Sequence, residues 1–338
     1  MIINKLGFGY KDLTIMPKTF TTIDHRADID PFTDNKYLPI FAAPMSTIVS
    51  LKNVHNFFTA NILPIIPRSI DYNTRLICMR NGFWTAFSLK EVNNIDASKV
   101  YNICIDTANG HYKEIYNIAS KLKTNNPNIK LMVGNIANPE TFKEISDMFI
   151  NYDTPVIDYV RIGIGGGSGC ITSTQTGIHY AQASLIDACR KYKYKTKIIA
   201  DGGIKNYSDV IKALALGADY VMIGGLFASC IESAGDKYRK DIFGNMIKSD
   251  DTDAQLYTEF YGMASKQGQV DMFGNKQATA EGTSKFIEVT TNLKQWSDNM
   301  EAYLRSAMSY CNSRTLEEFI GKQTLIPTST EELNSINK

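Results

Sequence analysis

Residues 197–225, KIIADGGIKNYSDVIKALALGADYVMIGG, contain one strand–helix–strand pattern. Its two apolar runs, 197–203 and 220–225, each end on glycine, and such runs are typical of buried parallel strands. Between them, apolar residues recur three and four positions apart over 207–216, which predicts an amphipathic helix. Apolar strands that flank such a helix predict a parallel sheet covered by helices.

Six further apolar runs of the same kind precede this unit. They span residues 39–45, 62–67, 83–88, 101–106, 130–135 and 159–164. Helical spacing follows several of them, over 112–122, 139–149 and 181–191, whereas the third run is followed by little helix. Eight strands favour a closed (β/α)8 TIM barrel of the α/β class over an open sheet, because side chains just fill the interior of an eight-stranded barrel.

The chain of 338 residues, of which 43% are hydrophobic and 21% charged, is long enough to bury a substantial core, which excludes a disordered protein. Length alone fits one domain or two; with eight units we expect one barrel domain over 1–338. Residues 236–282 are rich in Gly, Lys, Asp and Gln without a clean period, which predicts a long active-site loop, here called the flap. Residues 296–319 predict one or two closing helices, and 329–338 a polar tail.

Charge and cysteine content exclude several classes of partner. The 36 Lys and Arg residues balance 35 Asp and Glu residues without a long block of one sign, so we expect no nucleic-acid or membrane partner. Six widely spread cysteines without a C-x-x-C pair, and only four histidines, indicate neither a zinc site nor a disulfide framework. The first residues lack an apolar signal region, and no apolar run reaches roughly 18 residues. We expect a soluble, cytoplasmic protein.

The loop after the sixth strand, 163–172 (GIGGGSGCIT), is the strongest candidate for chemistry. Five glycines in seven positions allow a ligand to approach main-chain N–H groups closely, and Ser168 adds a hydroxyl. Cys170 follows at the predicted barrel mouth, where a thiol is accessible and its thiolate can be stabilised. The alternative is a flexible loop with an incidental cysteine. The other cysteines lie in or beside apolar stretches and are interpreted as core thiols: Cys78, Cys104, Cys189, Cys230 and Cys311.

Two glycine pairs end the last two strands. Asp201-Gly202-Gly203 and Gly224-Gly225 occupy the places where phosphate-binding barrels hold an anion. Because a carboxylate repels phosphate, Asp201 is better suited to accept hydrogen bonds from ribose hydroxyls. The pair of turns therefore predicts a nucleotide site, with simple tight turns as the alternative.

Three other residues have open interpretations. Asp106, in 105–110 (IDTANG), ends a strand and could face the pocket or cap the next helix. Glu281 could be a solvated loop residue. Met263, after Tyr261-Gly262, could be a core residue or an apolar surface for a base. The four histidines form no i, i+4 pair, and no metal role is assigned to them.

The chain resembles the family of IMP dehydrogenases and GMP reductases. The matching segments are 165–172 (GGGSGCIT), 199–203 (IADGG), 213–225 (ALALGADYVMIGG), 260–265 (FYGMAS) and 105–110, with weaker matches at 6–17 and 39–48. They are spread over nearly the whole chain, and their order and spacing make the resemblance specific.

The resemblance implies a barrel in which Cys170 attacks C2 of a purine nucleotide to give a thioimidate, and hydride moves between that carbon and a nicotinamide. It also implies roles for further residues. Ser168, Gly203, Gly224, Gly225 and Tyr261 would hold the 5′-phosphate, Asp201 the ribose, and Met263 and Gly282 the base, with Gly202 and Ser265 in the same binding segments. Asp106, Gly134 and Asn135 would lie toward the nicotinamide. The carbonyls of Gly165, Gly167 and Cys170 would bind a monovalent cation such as K⁺, and the family is typically tetrameric.

The flap indicates the direction of the reaction. The family's dehydrogenases hydrolyse the thioimidate with an Arg-Tyr pair on the flap, and residues 264–280 contain neither arginine nor tyrosine. The reductases use a threonine and a glutamate instead, and Thr172 and Glu281 occupy those positions. Only residues 69–82 stand where dehydrogenases usually carry a regulatory domain. The resemblance is therefore closest to GMP reductase: GMP and NADPH give IMP, ammonia and NADP⁺.

Three departures from the family pattern concern the cofactor and the substrate. Where the family has a segment of proline or asparagine, methionine and aspartate, this chain has Pro44-Met45-Ser46. Where the family's reductases have a lysine after the second strand, this chain has Arg68. Where they have an arginine shortly before the glutamate, this chain has residues 276–278 (KQA). No dinucleotide fingerprint selects NADPH over NADH. The alternatives are an IMP dehydrogenase without the regulatory domain, or a relative acting on a modified or deoxy purine nucleotide, and a catalytically silent barrel that binds a nucleotide.

Overall fold

The computed structural model describes residues 6–99, 102–251, 253–274 and 279–329. The strands are β1 (Leu13–Ile15), β2 (Ile40–Ala42), β3 (Leu63–Ile66), β4 (Trp84–Phe87), β5 (Asn102–Asp106), β6 (Lys130–Ile136), β7 (Tyr159–Ile162), β8 (Lys197–Asp201), β9 (Tyr220–Ile223), β10 (Lys237–Lys240), β11 (Met246–Lys248), β12 (Tyr257–Tyr261), β13 (Ser284–Glu288) and β14 (Leu325–Pro327). The α-helices are α1 (Val54–Thr59), α2 (Tyr72–Arg80), α3 (Leu89–Val92), α4 (Glu114–Asn125), α5 (Pro139–Ser146), α6 (Thr172–Thr176), α7 (Gln182–Arg190), α8 (Tyr207–Leu216), α9 (Lys266–Phe273), α10 (Leu293–Tyr310) and α11 (Leu316–Phe319).

Strands β2 to β9 close a parallel barrel in chain order, with β9 paired to β2. Each of the eight apolar runs matches one of these strands, with β6 extending one residue beyond its run, so the predicted (β/α)8 barrel is confirmed. The third unit has only the four-residue helix α3, which begins with a capping box between Ser88 and Glu91. None of the described helices combines the length and apolar character needed to cross a bilayer.

Aromatic side chains fill the barrel interior. The ring of Phe41 contacts Trp84 and Tyr220, with centroids 5.8 and 5.1 Å apart, and Tyr159 contacts Trp84 at 5.2 Å. Ile65, Ile199 and Met222 belong to the same buried cluster. Because the interior is packed, ligand binding is restricted to the barrel ends.

The flap is more ordered than its sequence predicts. Strands β10 to β13 form an antiparallel sheet in the order β11-β10-β12-β13, and α9 connects β12 to β13. The expectation of an irregular segment is therefore wrong for these residues. The strands are short and largely exposed, as in β13, so they lack the apolar run of a buried strand.

Two helices and a two-stranded sheet complete the fold outside the barrel. Helices α10 and α11 confirm the predicted closing helices, and β1 pairs antiparallel with β14. The polar tail falls outside the described residues from 330 onward. The division into one barrel domain and a flap over 236–282 stays a prediction.

Candidate active site

A cavity of about 540 Å³ opens at the carboxyl ends of the barrel strands, a volume that suits a small-molecule ligand. Most of the residues singled out from the sequence line it. They are Asp106, Asn135, Gly165, Gly167, Ser168, Cys170, Thr172, Asp201, Gly202, Gly203, Gly224, Gly225, Met263, Glu281 and Gly282. The barrel and the flap therefore build this cavity together.

The thiol of Cys170 begins a short hydrogen-bond chain. Its Sγ lies 3.2 Å from Thr172 Oγ1, and the Thr172 hydroxyl donates to Glu281 Oε2 at 2.8 Å. Cys170 is partly exposed, whereas the other five cysteines are buried, as predicted for core thiols. A nucleophile, a hydroxyl and a carboxylate in sequence form a path along which a proton can move.

Backbone pairing brings Glu281 to the cysteine loop, although 109 positions separate it from Thr172. Cys170 and Gly282 form an antiparallel bridge, Ile171 N–H donates to the Glu281 carbonyl at 2.9 Å, and Thr283 N–H donates to the Gly169 carbonyl at 3.0 Å. A Cβ at Gly282 would lie 2.9 Å from the Ser265 amide nitrogen. Only glycine allows the flap to approach this closely.

The two glycine turns meet the cysteine loop on its other side. Gly203 N–H donates to the Gly166 carbonyl at 2.8 Å. A Cβ at Gly225 would lie 2.4 Å from Ser168 Oγ, so the absence of a side chain leaves room for that hydroxyl. Four of the five predicted phosphate-binding residues therefore line the same cavity: Ser168, Gly203, Gly224 and Gly225.

Arg161 is a functional candidate that the sequence reasoning missed. Its Nη1 lies 2.6 Å from Asp106 Oδ1, and its Nη2 lies 3.0 Å from Asp201 Oδ2. Asn135 Nδ2 also donates to Asp201 Oδ2, at 2.9 Å. Burial disfavours the cation, but the two carboxylates hold the pKa of Arg161 above its usual value. An arginine within the apolar run 159–164 was the available signal, because a buried charge needs partners.

Three predicted site residues lie outside the cavity lining: Gly134, Tyr261 and Ser265. On β12 alternate side chains are buried, so Phe260 lines the cavity while the Tyr261 hydroxyl donates to Asp271 Oδ2 at 2.7 Å. Burial, and then the Asp271 carboxylate, raise the pKa of Tyr261. The Ser265 hydroxyl caps α9 by accepting from Gly268 N–H at 3.0 Å. The period-two alternation of β12 could have identified Phe260.

A sequence model of the IMP dehydrogenase / GMP reductase domain matches residues 68–335. The chain belongs to this family. The match confirms the resemblance drawn from the sequence motifs.

Curated relatives extend over most of the chain. A GMP reductase of Shouchella clausii is 28% identical over 329 residues, which cover 92% of each chain. A GMP reductase of Streptococcus suis strain 98HAH33 is 29% identical over 327 residues and 91% of each chain. A GMP reductase of Onchocerca volvulus is 27% identical over 355 residues, which cover 96% of this chain and 92% of the relative.

Two of the three positions at which the chain departs from the family pattern lie at or near the cavity. Arg68 lines the cavity, and its Nη1 donates to the Asp106 carbonyl at 3.2 Å and lies 3.9 Å from Asp106 Oδ2. Ser46 Oγ donates to Asp271 Oδ2 at 2.8 Å. Residues 276–278 lie outside the described residues.

The carbonyls predicted to bind a cation are partly engaged. The Gly165 carbonyl accepts from Ser173 Oγ at 3.1 Å, and the Gly167 carbonyl accepts from Cys170 N–H at 3.0 Å. A carbonyl oxygen has two lone pairs, so each keeps one for a further ligand. Within the described ranges, no three His, Cys, Asp or Glu side chains group as metal ligands.

Proposed function

We propose that this oxidoreductase acts on a purine nucleotide as a GMP reductase: GMP, NADPH and two protons give IMP, NADP⁺ and ammonium. The observation that carries the proposal is the Cys170–Thr172–Glu281 chain, with steps of 3.2 and 2.8 Å, at the mouth of the family's barrel. The GMP reductases among the relatives support the same reaction.

The hydrogen-bond chain suggests how ammonia leaves. The Cys170 thiol passes its proton to Thr172 as the hydroxyl of Thr172 passes its own to Glu281. The resulting thiolate attacks C2 of guanine, and Glu281 returns the proton through Thr172 to the departing amine. The C2–S bond forms and the C2–N bond breaks, so no water is activated.

The other lining residues suit the rest of the nucleotide. Ser168 stands beside Gly225 for the 5′-phosphate, and Asp201 faces the cavity for the ribose hydroxyls. The described hydrogen bonds to the Asp201 side chain all reach Oδ2, which leaves Oδ1 for a sugar hydroxyl. Met263 and Gly282 supply an apolar, close-fitting wall for the base.

The opposite side of the barrel mouth has room for a dinucleotide. Asp106 ends β5 and Asn135 lies one residue before the end of β6, across the barrel from the β9 turn. A second cavity, of about 630 Å³, shares Arg68 and Met272 with the first and is also lined by Lys90. Asp106 and Asn135 would hold the nicotinamide side, and Arg68 and Lys90 suit phosphate groups. NADPH supplies hydride when bound.

Family resemblance supports two further inferences, and the cysteines support a third. Gly165, Gly167 and Cys170 would hold K⁺ through carbonyl oxygens, which suit a cation of low charge density. Family members are typically tetrameric, and we infer a homotetramer. A cytoplasmic location is inferred because five of the six cysteines are buried free thiols.

Absorbance at the nicotinamide band tests the reaction. Protein mixed with GMP and NADPH should consume NADPH, and Cys170→Ala should abolish the consumption. Absence of turnover across a range of potassium concentrations and pH would contradict the proposal. NAD⁺ reduction with IMP would instead indicate a dehydrogenase.

A further inference from the structure

Helix α9 of the flap packs directly onto the backbone that carries Met263. A Cβ at Gly268 would lie 2.6 Å from the Gly262 carbonyl oxygen and 2.7 Å from Met263 Cα, so there is no room for a larger residue. The Ser265 cap fixes the start of the same helix. A displacement of α9 therefore displaces Met263, which lines the active-site cavity.

The carboxylate of Asp271 ties α9 to two other elements. Its Oδ2 accepts from Ser46 Oγ at 2.8 Å and from the Tyr261 hydroxyl at 2.7 Å. Ser46 lies in the loop after β2, and its Oγ is 3.8 Å from Met263 Sδ. The barrel loop, β12 and α9 thus meet at one carboxylate oxygen.

The two hydrogen bonds to Asp271 Oδ2 are charge-assisted, because their acceptor is a carboxylate. The side chains of Ser46, Tyr261 and Asp271 are all partly buried, and a carboxylate acceptor strengthens a hydrogen bond from a hydroxyl. Among the described residues no lysine, arginine or histidine forms an ion pair with Asp271. Its other oxygen has one longer contact, at 3.4 Å, with Gln267 Nε2. The two hydroxyls are therefore the main anchors of this carboxylate.

We propose that Asp271 is a positioning residue for the base of the substrate. Through Ser46 and Tyr261 it holds α9 against the barrel and keeps Met263 at the cavity wall. Asp271 lines the second cavity and not the active-site cavity, so its effect on the binding of GMP without cofactor passes through Met263. The inference rests on the proposed function for the identity of the ligand, a purine nucleotide.

Calorimetric titration with GMP and with ribose 5-phosphate, which has no base, tests this role. Asp271→Ala should weaken GMP binding about tenfold, the effect of losing charge-assisted hydrogen bonds, and leave ribose 5-phosphate binding unchanged. Asp271→Asn, which keeps an acceptor oxygen, should recover part of the affinity. Lys266→Ala, an exposed change on the same helix, serves as the control and should bind GMP like the wild type.

A double variant tests the same role when ribose 5-phosphate binds too weakly to be measured. The single substitution Ser46→Ala should weaken GMP binding. The double variant Ser46→Ala/Asp271→Ala should bind GMP as Asp271→Ala does, because both substitutions remove the same hydrogen bond. Additive effects, unchanged GMP binding in Asp271→Ala, or an equal loss for both ligands would overturn the proposal. Failure of the wild type to bind GMP at all would instead overturn the proposed function.

Discussion

At the scale of single residues, the site contains two networks of polar side chains, each with its own role. Cys170, Thr172 and Glu281 form the path for a proton, while Arg161 holds Asp106 and Asp201 in place across the barrel mouth. Arg161 is 7% exposed, and its two ion pairs offset the cost of burying the charge. The chemistry therefore depends on partners that fix each group before the substrate binds.

Thr172→Val tests the proton path at this scale. Loss of the hydroxyl should lower kcat on the order of a hundredfold or more, with little change in the KM for GMP, because a proton relay acts in the transition state. Thr172→Ser should restore most of the rate. Steady-state kinetics with GMP and NADPH measure both values. A change confined to KM would mean that Thr172 only binds substrate.

At the scale of elements, the sequence predicts the buried strands better than the exposed ones. Barrel strands such as β8 and β9 contain continuous buried apolar runs, so the sequence predicts their positions. The flap strands are short and half-exposed, and their pairing depends on contacts such as Tyr238 with Phe286, whose ring centroids are 4.9 Å apart. Such contacts join residues far apart in sequence and leave no local pattern.

The same contrast applies to the site. The cysteine loop and the glycine turns were predicted because their residue types are unusual after apolar strands. The Ser46–Asp271 contact spans 225 positions, and it could not be inferred from either segment alone. The family resemblance assigns Tyr261 to the phosphate, which stays a prediction, and the alternation of β12 turns its side chain toward Asp271.

At the scale of the whole molecule, chemistry and stability lie at opposite ends of the barrel. Asp158 precedes β7, and its Oδ2 lies 2.6 Å from Lys123 Nζ, which also donates to the Ile129 carbonyl. Lys123 is 1% exposed. Burial lowers the pKa of Lys123, and Asp158 opposes that effect. This buried pair lies at the amino-terminal ends of the barrel strands, opposite the end that carries the active-site cavity.

Lys123→Met should therefore lower the stability of the protein without lowering its activity. It leaves Asp158 without its buried partner and should lower the free energy of unfolding by about 3–5 kcal/mol, with kcat unchanged. Lys130→Met is the matched control, because Lys130 pairs with the same carboxylate at 3.1 Å but is 53% exposed. Its effect should stay below about 1 kcal/mol. Urea unfolding measures both variants, and equal losses would contradict this assignment.

The proposed reaction requires Cys170 to bond covalently to a purine 5′-monophosphate. Intact-protein mass spectrometry after incubation with 6-chloropurine ribotide detects that bond, because the thiolate bonds to the ring, chloride leaves from C6, and the sulfur stays attached. We predict one adduct per chain in the wild type and none in Cys170→Ala. An adduct that persists in Cys170→Ala, or no adduct in the wild type, would contradict a covalent role of Cys170.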